Sequence, residues 1–127
     1  MEVQHTAIAV SDLEETRAFY EDGLGLEHAW DFHTDDGVHN YYVTGDELDT
    51  WIQFVDDPDE DGPISPDGIV HLALEVDDVD ATHEAVVEAT DCEVVDGPKT
   101  IEAANARAVF IKDPDGYEIE IFKRFDE

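Results

Sequence analysis

Apolar and polar residues alternate in eight short stretches of this chain, as in strands that bury one face. In the stretch at 69–76, for example, Leu72 and Leu74 fall on one face while His71 and Ala73 fall on the other. The alternation predicts strands at 3–10, 27–33, 38–44, 49–55, 69–76, 92–96, 105–112 and 117–123. Each predicted strand therefore offers an apolar face to a core and a mixed face to other surroundings.

Two further stretches have the apolar spacing of an amphipathic helix. The first begins after Asp12, a suitable N-cap, and carries Glu14 and Glu15 in its first turn, where the helix dipole favours acidic groups. It runs to about residue 22, where glycines follow, and the second helix covers 78–90. Clusters of Gly, Asp and Pro predict turns at 35–37, 44–46 and 113–116. The elements follow the order βαβββ twice.

The residues themselves also repeat at about half the length of the chain. HTAIAVSDLEET, starting at His5, aligns with HLALEVDDVDAT, starting at His71, at an offset of 66 residues. WIQFV at 51–55 aligns with EIEIF at 118–122, which places Gln53 against Glu120 at an offset of 67. Two copies of one supersecondary unit explain both alignments.

The repeat predicts an α+β fold in which two paired βαβββ modules form a cupped mixed sheet with helices on the outer face. We expect one domain over 1–127, since this length supports one substantial core. Module 1 covers about 1–56, a linker rich in Asp, Pro and Gly covers about 57–68, and module 2 covers about 69–127.

The charge balance narrows the range of partners. Six Lys and Arg against 35 Asp and Glu give a net charge of −29, which repels nucleic acid and anionic membranes. The acidic residues are spread along a chain that is 42% hydrophobic, which favours a folded protein adapted to high salt over a disordered one. The single cysteine, Cys92, and the lack of an evident signal peptide fit a cytoplasmic protein.

The repeat brings four metal-ligand types into matching positions. His5 and His71 open the first strand of each module, and Gln53 and Glu120 lie in the last strand. Strand alternation places all four on the face opposite the apolar residues that pack on the helices. Two imidazoles, a carboxylate and an amide oxygen suit a divalent metal such as Ni, Zn, Co or Mn. We therefore expect a metal site with room for water or substrate oxygens.

Other chemistry-bearing residues have no matching partner in the repeat. His28, His33, His39 and His83 are interpreted as surface residues or pocket lining. Lys99 and Arg107 are each expected either to hold an anionic substrate tail or to form a surface ion pair. Pocket lining and core packing both remain open for the large aromatics on predicted strands, which are Trp30, Phe32, Tyr41, Tyr42, Trp51 and Phe122.

At these residues the sequence resembles the vicinal oxygen chelate superfamily of glyoxalases, bleomycin resistance proteins and dioxygenases, and within it the glyoxalase I (lactoylglutathione lyase) enzymes. The stretches that carry the resemblance are HTAIAVSDLEETRAFYEDGLGL at 5–26, HLALEVDD at 71–78 and KDPDGYEIEIF at 112–122. The resemblance covers nearly the whole chain. It implies paired βαβββ modules, metal ligands at His5, Gln53, His71 and Glu120, and a homodimer whose sites take one ligand pair from each subunit.

The resemblance also implies an activity. Glyoxalase I converts the hemithioacetal of a 2-oxoaldehyde and a thiol into a 2-hydroxyacyl thioester, by proton transfer through an enediolate, and so detoxifies methylglyoxal. Glu120 then acts as metal ligand and catalytic base. Ala9 and Asp57 stand where these enzymes have an Arg and an Asn that contact glutathione, so a different small thiol is expected.

Three alternative functions remain open within the same superfamily. The His/Gln/His/Glu set resembles methylmalonyl-CoA epimerase, in which case Asp35 or Asp36 is essential. A ring-cleaving dioxygenase would use His5, His71 and Glu120 to hold iron. A binding or antibiotic-resistance module would hold its ligand without a metal.

Overall fold

The computed structural model describes residues 1, 3–45, 50–60, 62–64 and 68–125. The chain divides into two compact units, Met1–Ile64 and Ser65–Glu127, and the division falls inside the predicted linker. Some predicted positions lie outside the described residues: Asp46 of a predicted turn, Asp49 at the start of a predicted strand, and linker positions 61 and 65–67.

Unit 1 contains one complete βαβββ module. Its elements are β1 (His5–Ala9), α1 (Leu13–Arg17), which continues as a π-helical segment (Ala18–Gly23), β2 (Glu27–His33), β3 (His39–Thr44) and β4 (Trp51–Asp56). The strands form one mixed sheet in the order β1-β4-β3-β2. β1 runs parallel to β4, and the other neighbours are antiparallel.

Unit 2 repeats this architecture. Its elements are β5 (Leu72–Glu75), α2 (Val79–Thr90), β6 (Val94–Ile101), a 3₁₀ turn (Glu102–Ala104), β7 (Ala106–Lys112) and β8 (Glu118–Arg124). The sheet order is β5-β8-β7-β6, and β5 is parallel to β8. The predicted α+β class and the βαβββ order of each half are confirmed. The joining of both modules into one cupped sheet and one domain stays a prediction.

Equivalent aspartates begin the two helices. Asp12 accepts hydrogen bonds from the backbone N–H groups of Glu14 and Glu15 at 3.0 and 3.2 Å, and Asp78 accepts one from Ala81 at 3.1 Å. These side chains satisfy N–H groups that have no partner inside a helix. No helix in the described ranges is long and apolar enough to cross a membrane.

Each unit packs its helix against the apolar face of its own sheet. In unit 1, the ring of Tyr20 lies 4.8 Å from that of Phe54, and the Tyr41 hydroxyl donates to Glu21. Burial and this hydrogen bond raise the pKa of Tyr41 to about 12, so the phenol stays protonated. In unit 2, Ile119 and Ile121 are fully buried on the corresponding face. The opposite faces, which carry the predicted ligands, are more exposed.

Two predicted strand boundaries are wrong, and the first helix differs in type. It ends near residue 22 as predicted, but its last part is π-helical, and Leu24 N–H donates to the carbonyl of Phe19 across five residues. β5 begins at Leu72, so His71 lies one residue before the strand. β6 does not stop at Asp96 but continues to Ile101, because an irregularity in its pairing with β7 accommodates the Gly97–Pro98 pair.

The register of the parallel pairs shows how closely the units match. Ala7 is the partner of Gln53 in unit 1, and Ala73 is the partner of Glu120 in unit 2. The alignment of Gln53 with Glu120 is therefore structural as well as sequential. In both units a small alanine lies beside the long polar side chain on the same face, which leaves space next to it.

The predicted turn at 113–116 is confirmed and is held by the side chain of Asp113. This nearly buried carboxylate accepts backbone hydrogen bonds from Asp115 at 2.9 Å and from Tyr117 at 3.0 Å. Gly116 completes the turn with a φ of 89°, a conformation that favours glycine. The turn sets the entry of the chain into β8, and therefore the position of Glu120.

We expect Asp113→Ala to lower the free energy of unfolding by about 1–3 kcal/mol, because one buried and one half-buried N–H group lose their acceptor. Denaturant titration in molar salt measures the change. Asp57→Ala is the matched control, since Asp57 accepts one backbone hydrogen bond, from the exposed Asp59. Equal losses in the two variants would contradict the role of burial.

Candidate functional site

The first predicted ligand pair lies on one face of the sheet of unit 1. His5 opens β1 and Gln53 lies in the neighbouring parallel strand β4. His5 pairs with Trp51 and Ala7 pairs with Gln53, so the four side chains follow one another on the same face. His5 is exposed and Gln53 half-buried, which leaves both accessible to a ligand.

Tyr42 connects the two members of this pair. It is the cross-strand partner of Gln53 on β3, and the His5 ring contacts it edge-on at 5.6 Å between centroids. Since Tyr42 is nearly buried, it gives the exposed imidazole a fixed apolar surface to lie against.

Hydrogen bonds decide which atoms of the pair are available. Gln53 Nε2 donates to Asn40 Oδ1 at 2.8 Å, and Asn40 Nδ2 donates to the carbonyl of Val38 at 3.3 Å. Asn40 is nearly buried, so this chain of amides fixes the orientation of both side chains. The Oε1 atom of Gln53 is then the one available to a metal or substrate. His5 Nδ1 donates to Gln4 Oε1, which leaves Nε2 as its ligand atom.

The second predicted pair is in direct contact in unit 2. His71 Nε2 lies 3.2 Å from Glu120 Oε1, and both side chains are partly exposed. The His71 ring contacts Phe110 edge-on at 6.0 Å, and Phe110 is the cross-strand partner of Glu120. Phe110 therefore occupies the place of Tyr42: its ring contacts the histidine of its unit and pairs across the strands with the Gln or Glu.

These donor atoms fit a borderline divalent metal. A separation of 3.2 Å between an imidazole nitrogen and a carboxylate oxygen matches the spacing of about 2.9–3.4 Å between adjacent ligands with bonds of about 2.0–2.2 Å. Imidazole with carboxylate or amide oxygen is also the donor set that such metals prefer.

The units differ in how they hold the last-strand ligand. Asn40, which fixes Gln53, lies two residues before Tyr42 on β3. The corresponding residue of unit 2, two before Phe110, is Ala108, which has no polar side chain. Gln53 is therefore anchored by a side-chain amide, whereas the carboxylate of Glu120 has no equivalent anchor.

A cavity of about 530 Å³ opens beside Glu120 within unit 2. Its walls are mainly small and apolar, and Glu120 and Arg124 supply the charged groups. The remaining lining residues are Ala73, Ile101, Ala104, Ala106 and Phe122. The size suits a small organic molecule, and a wall with a few polar groups is typical of a ligand site.

The aromatic candidates divide between the core and the surface. Tyr41 and Tyr42 are nearly buried. Trp30 is 44% exposed and Phe32 is 36% exposed, although both stack with Tyr42. Trp51 also contacts Tyr42, and Phe122 lines the cavity of unit 2. Trp30 and Phe32 thus extend the His5–Gln53 face as an exposed aromatic surface.

Ion pairs engage both of the singled-out basic residues. Lys99 contacts Asp96, and Arg107 makes two hydrogen bonds to Asp80, at 2.9 and 3.0 Å. These hydrogen bonds raise the pKa of Arg107. The surface ion-pair interpretation is confirmed for both residues.

The remaining predicted positions lie away from the two pairs or in loops. Asp35 and Asp36 form the turn between β2 and β3, where the Thr34 hydroxyl donates to Asp36. His83 Nε2 on α2 is buried and makes no hydrogen bond to the described residues.

Asp31, which was not among the predicted candidates, lies close to three histidines, which are His28, His33 and His39. Alternation along a hairpin is the signal that places Asp31 and His33 on one face.

Comparison with known proteins agrees with this architecture. Residues 2–121 match the sequence profile of the Glyoxalase/Bleomycin resistance protein/Dioxygenase superfamily. The lactoylglutathione lyase of Haemophilus influenzae is 28% identical over 130 residues, which cover 97% of this chain and 93% of that protein.

Two solved structures show the same fold. TnmS3, an antibiotic-binding protein from Streptomyces sp. CB03234, has a TM-score of 0.78 and 30% identity, covering 98% of this chain and 96% of the other. The trypanothione-dependent glyoxalase I of Leishmania major has a TM-score of 0.79 and 22% identity, covering 97% and 86%. The two βαβββ modules and the match over residues 2–121 establish that this chain belongs to the Glyoxalase/Bleomycin resistance protein/Dioxygenase superfamily.

Proposed function

We propose that this protein is a metal-dependent lyase of the glyoxalase I type. Its substrate is the hemithioacetal of a 2-oxoaldehyde and a small thiol, and its product is a 2-hydroxyacyl thioester. The observation that carries this proposal is the repeated pair, a histidine with a Gln or Glu at register-equivalent positions of both units. Similarity to the lactoylglutathione lyase of Haemophilus influenzae also supports this class of reaction.

The proposed ligands are His5 and Gln53 from one module and His71 and Glu120 from the other. Either one chain or two chains of a homodimer supply the two pairs. A Ni, Zn, Co or Mn ion held by these four residues would supply Lewis-acid stabilisation of the negative charge that develops on the substrate. Gln53, held by Asn40, presents a neutral oxygen, so the four ligands together carry a single negative charge.

Glu120 is the proposed catalytic base, which takes a proton from one substrate carbon and returns it to the neighbouring carbon. A carboxylate that does this must move slightly between the two carbons. Glu120 satisfies this need because it lies in the cavity wall and lacks the anchor that fixes Gln53. One proton moves between the adjacent carbons and the hydroxyl proton moves to the neighbouring oxygen, so the substrate is isomerised without an oxidant, a reductant or a further reactant.

The thiol is proposed to differ from glutathione. Ala9 lies on the exposed face of β1 in line with His5, and it offers no charge to a glutathione carboxylate. Asp57, which follows β4, adds a negative charge where the glyoxalases have a neutral amide. Both changes disfavour an anionic tripeptide.

The first test is turnover of the methylglyoxal hemithioacetal formed with a panel of small thiols, in molar salt with added divalent metal. We expect one thiol to support turnover and Glu120→Gln to lower kcat by about 10²–10⁴-fold, because the base is lost. Glu84→Gln, which removes the same charge from an exposed position on α2, serves as the control.

A metal-loaded protein that turns over none of these adducts would contradict the lyase proposal. Epimerisation of a 2-substituted malonyl thioester is then the reaction to measure. In that case Asp35→Asn or Asp36→Asn should abolish it, whereas the lyase requires neither carboxylate.

Asn40 tests the ligand role of Gln53. We expect Asn40→Ala to weaken metal binding by about 10–100-fold, because residues that orient a ligand contribute on this scale. Asn40→Asp keeps an acceptor for Gln53 Nε2 and should restore most of the affinity. Calorimetric titration with Zn²⁺ measures both. If Asn40→Ala binds the metal as tightly as the wild type, Gln53 does not depend on this anchor.

A second candidate function is the capture of a planar aromatic compound. Trp30 stacks on Phe32 at 5.0 Å and on Tyr42 at 5.1 Å, and it remains 44% exposed. An exposed stack of this kind binds flat rings well. TnmS3, at 30% identity, is an antibiotic-binding protein, which supports the same interpretation.

Bleomycin, which gives the superfamily part of its name, is a suitable probe for this second function. If the aromatic surface binds it, the bleomycin quenches tryptophan fluorescence, and replacing both Trp30 and Phe32 by Ala weakens binding by at least about tenfold. Calorimetry measures the affinity of the double variant for bleomycin, because this variant lacks Trp30 and its fluorescence. Phe125→Ala, which removes an exposed ring elsewhere, is the control. Equal affinities in all three proteins would contradict this function.

A further inference from the structure

The hairpin of β2 and β3 carries a second group of metal-ligand side chains. His33 and His39 are direct cross-strand partners, and their rings stack with centroids 4.0 Å apart. Asp31 lies two residues before His33 and therefore projects from the same face. One ligand atom from each of these three residues lies within 4.8 Å of the other two.

The carboxylate of Asp31 is already held in place by imidazoles on both of its oxygens. Oδ2 lies 2.8 Å from His39 Nε2, and Oδ1 lies 2.7 Å from His28 Nε2. A carboxylate oxygen donor therefore faces two imidazole nitrogens.

This group lies on the face of the sheet opposite His5 and Gln53. His39 alternates with Asn40 along β3, and Asn40 is the residue that contacts Gln53. On its own face, His39 contacts Tyr41, over which the guanidinium of Arg17 from α1 lies at 5.0 Å. The sheet therefore separates this group from the first ligand pair.

We propose that Asp31, His33 and His39 form a separate binding site for a late first-row divalent metal ion such as Zn²⁺. Two imidazoles and one carboxylate favour these metals over Mg²⁺ or Ca²⁺, which prefer oxygen donors alone. Three protein ligands leave at least one position for water. The site is independent of the proposed lyase function.

The loop between the strands gives this site a fixed framework. Thr34 N–H donates to Val38 O at 2.9 Å, and Val38 N–H donates to Thr34 Oγ1 at 3.1 Å. Gly37, with a φ of 89°, closes the turn. These bonds hold the strand ends in register, so His33 and His39 stay side by side on the hairpin.

His28 is assigned a supporting role rather than a place among the ligands. It holds Oδ1 of Asp31, whereas His39 lies at Oδ2. A ligating carboxylate is normally oriented by such an outer hydrogen bond, and losing it costs about 10–100-fold in metal affinity.

The test counts Zn²⁺ bound per chain by equilibrium dialysis, in molar potassium chloride with millimolar Ca²⁺ to occupy exposed carboxylates. The double variant H33N/H39N should bind one equivalent fewer than the wild type. The matched variant His28→Asn should keep the wild-type number with an affinity about 10–100-fold lower. Circular dichroism checks that all variants fold.

The outcomes separate this site from the proposed lyase site. If H33N/H39N binds as many equivalents as the wild type, Asp31 and the histidines form a hydrogen-bonded network only, and the proposal is overturned. If the double variant H71A/E120A loses one equivalent and H33N/H39N loses another, both sites exist. If H71A/E120A loses none while H33N/H39N loses one, the hairpin site stands and the metal site of the lyase does not.

Discussion

Parallel pairing between the first and last strands of each module is the constraint on which the candidate site depends. Parallel neighbours need a long crossover, here a helix and two strands, so residues far apart in sequence become adjacent. This pairing places Gln53 beside Ala7 and Glu120 beside Ala73. A larger residue at either alanine would fill the space next to the polar side chain. Strand order and small partners together therefore leave space beside a polar side chain in each unit.

The two units have the same strand arrangement, but Gln53 and Glu120 have different neighbours. Each histidine lies against an aromatic ring, Tyr42 or Phe110, and that ring is the cross-strand partner of the Gln or Glu. Among the described residues, the buried amide of Asn40 holds Gln53 in unit 1, whereas Ala108 takes the equivalent place in unit 2 and Glu120 contacts His71. The duplicated module therefore places side chains of different charge, with different partners, at the same backbone position.

Strand alternation and the internal repeat were enough to predict the element order, the N-cap Asp12 and the faces of His5, Gln53 and Glu120. The alternation of apolar and polar residues within one strand could not predict where its hydrogen bonding to a neighbouring strand would begin or end. β6 continues past Gly97 and Pro98 because β7 supplies partners beyond the irregularity. β5 starts after His71 because its pairing with β8 begins at Leu72 and Ile119. Asn40 was missed because its role depends on a neighbouring strand. Asp31 was missed because a single acid among 35 acidic residues carries little information until the hairpin pairs it with histidines.

The strong acidity of the chain explains why the histidines are informative. A net charge of −29 draws any cation toward the surface, and 35 carboxylates offer oxygen ligands with little selectivity. Nitrogen donors are scarce by comparison, with six histidines in the chain. Two of them lie in the repeated pairs and three gather around Asp31, which leaves only His83 outside these groups. Because imidazole favours Zn²⁺, Ni²⁺ and related ions over Mg²⁺ and Ca²⁺, this placement can select a borderline metal where charge alone cannot.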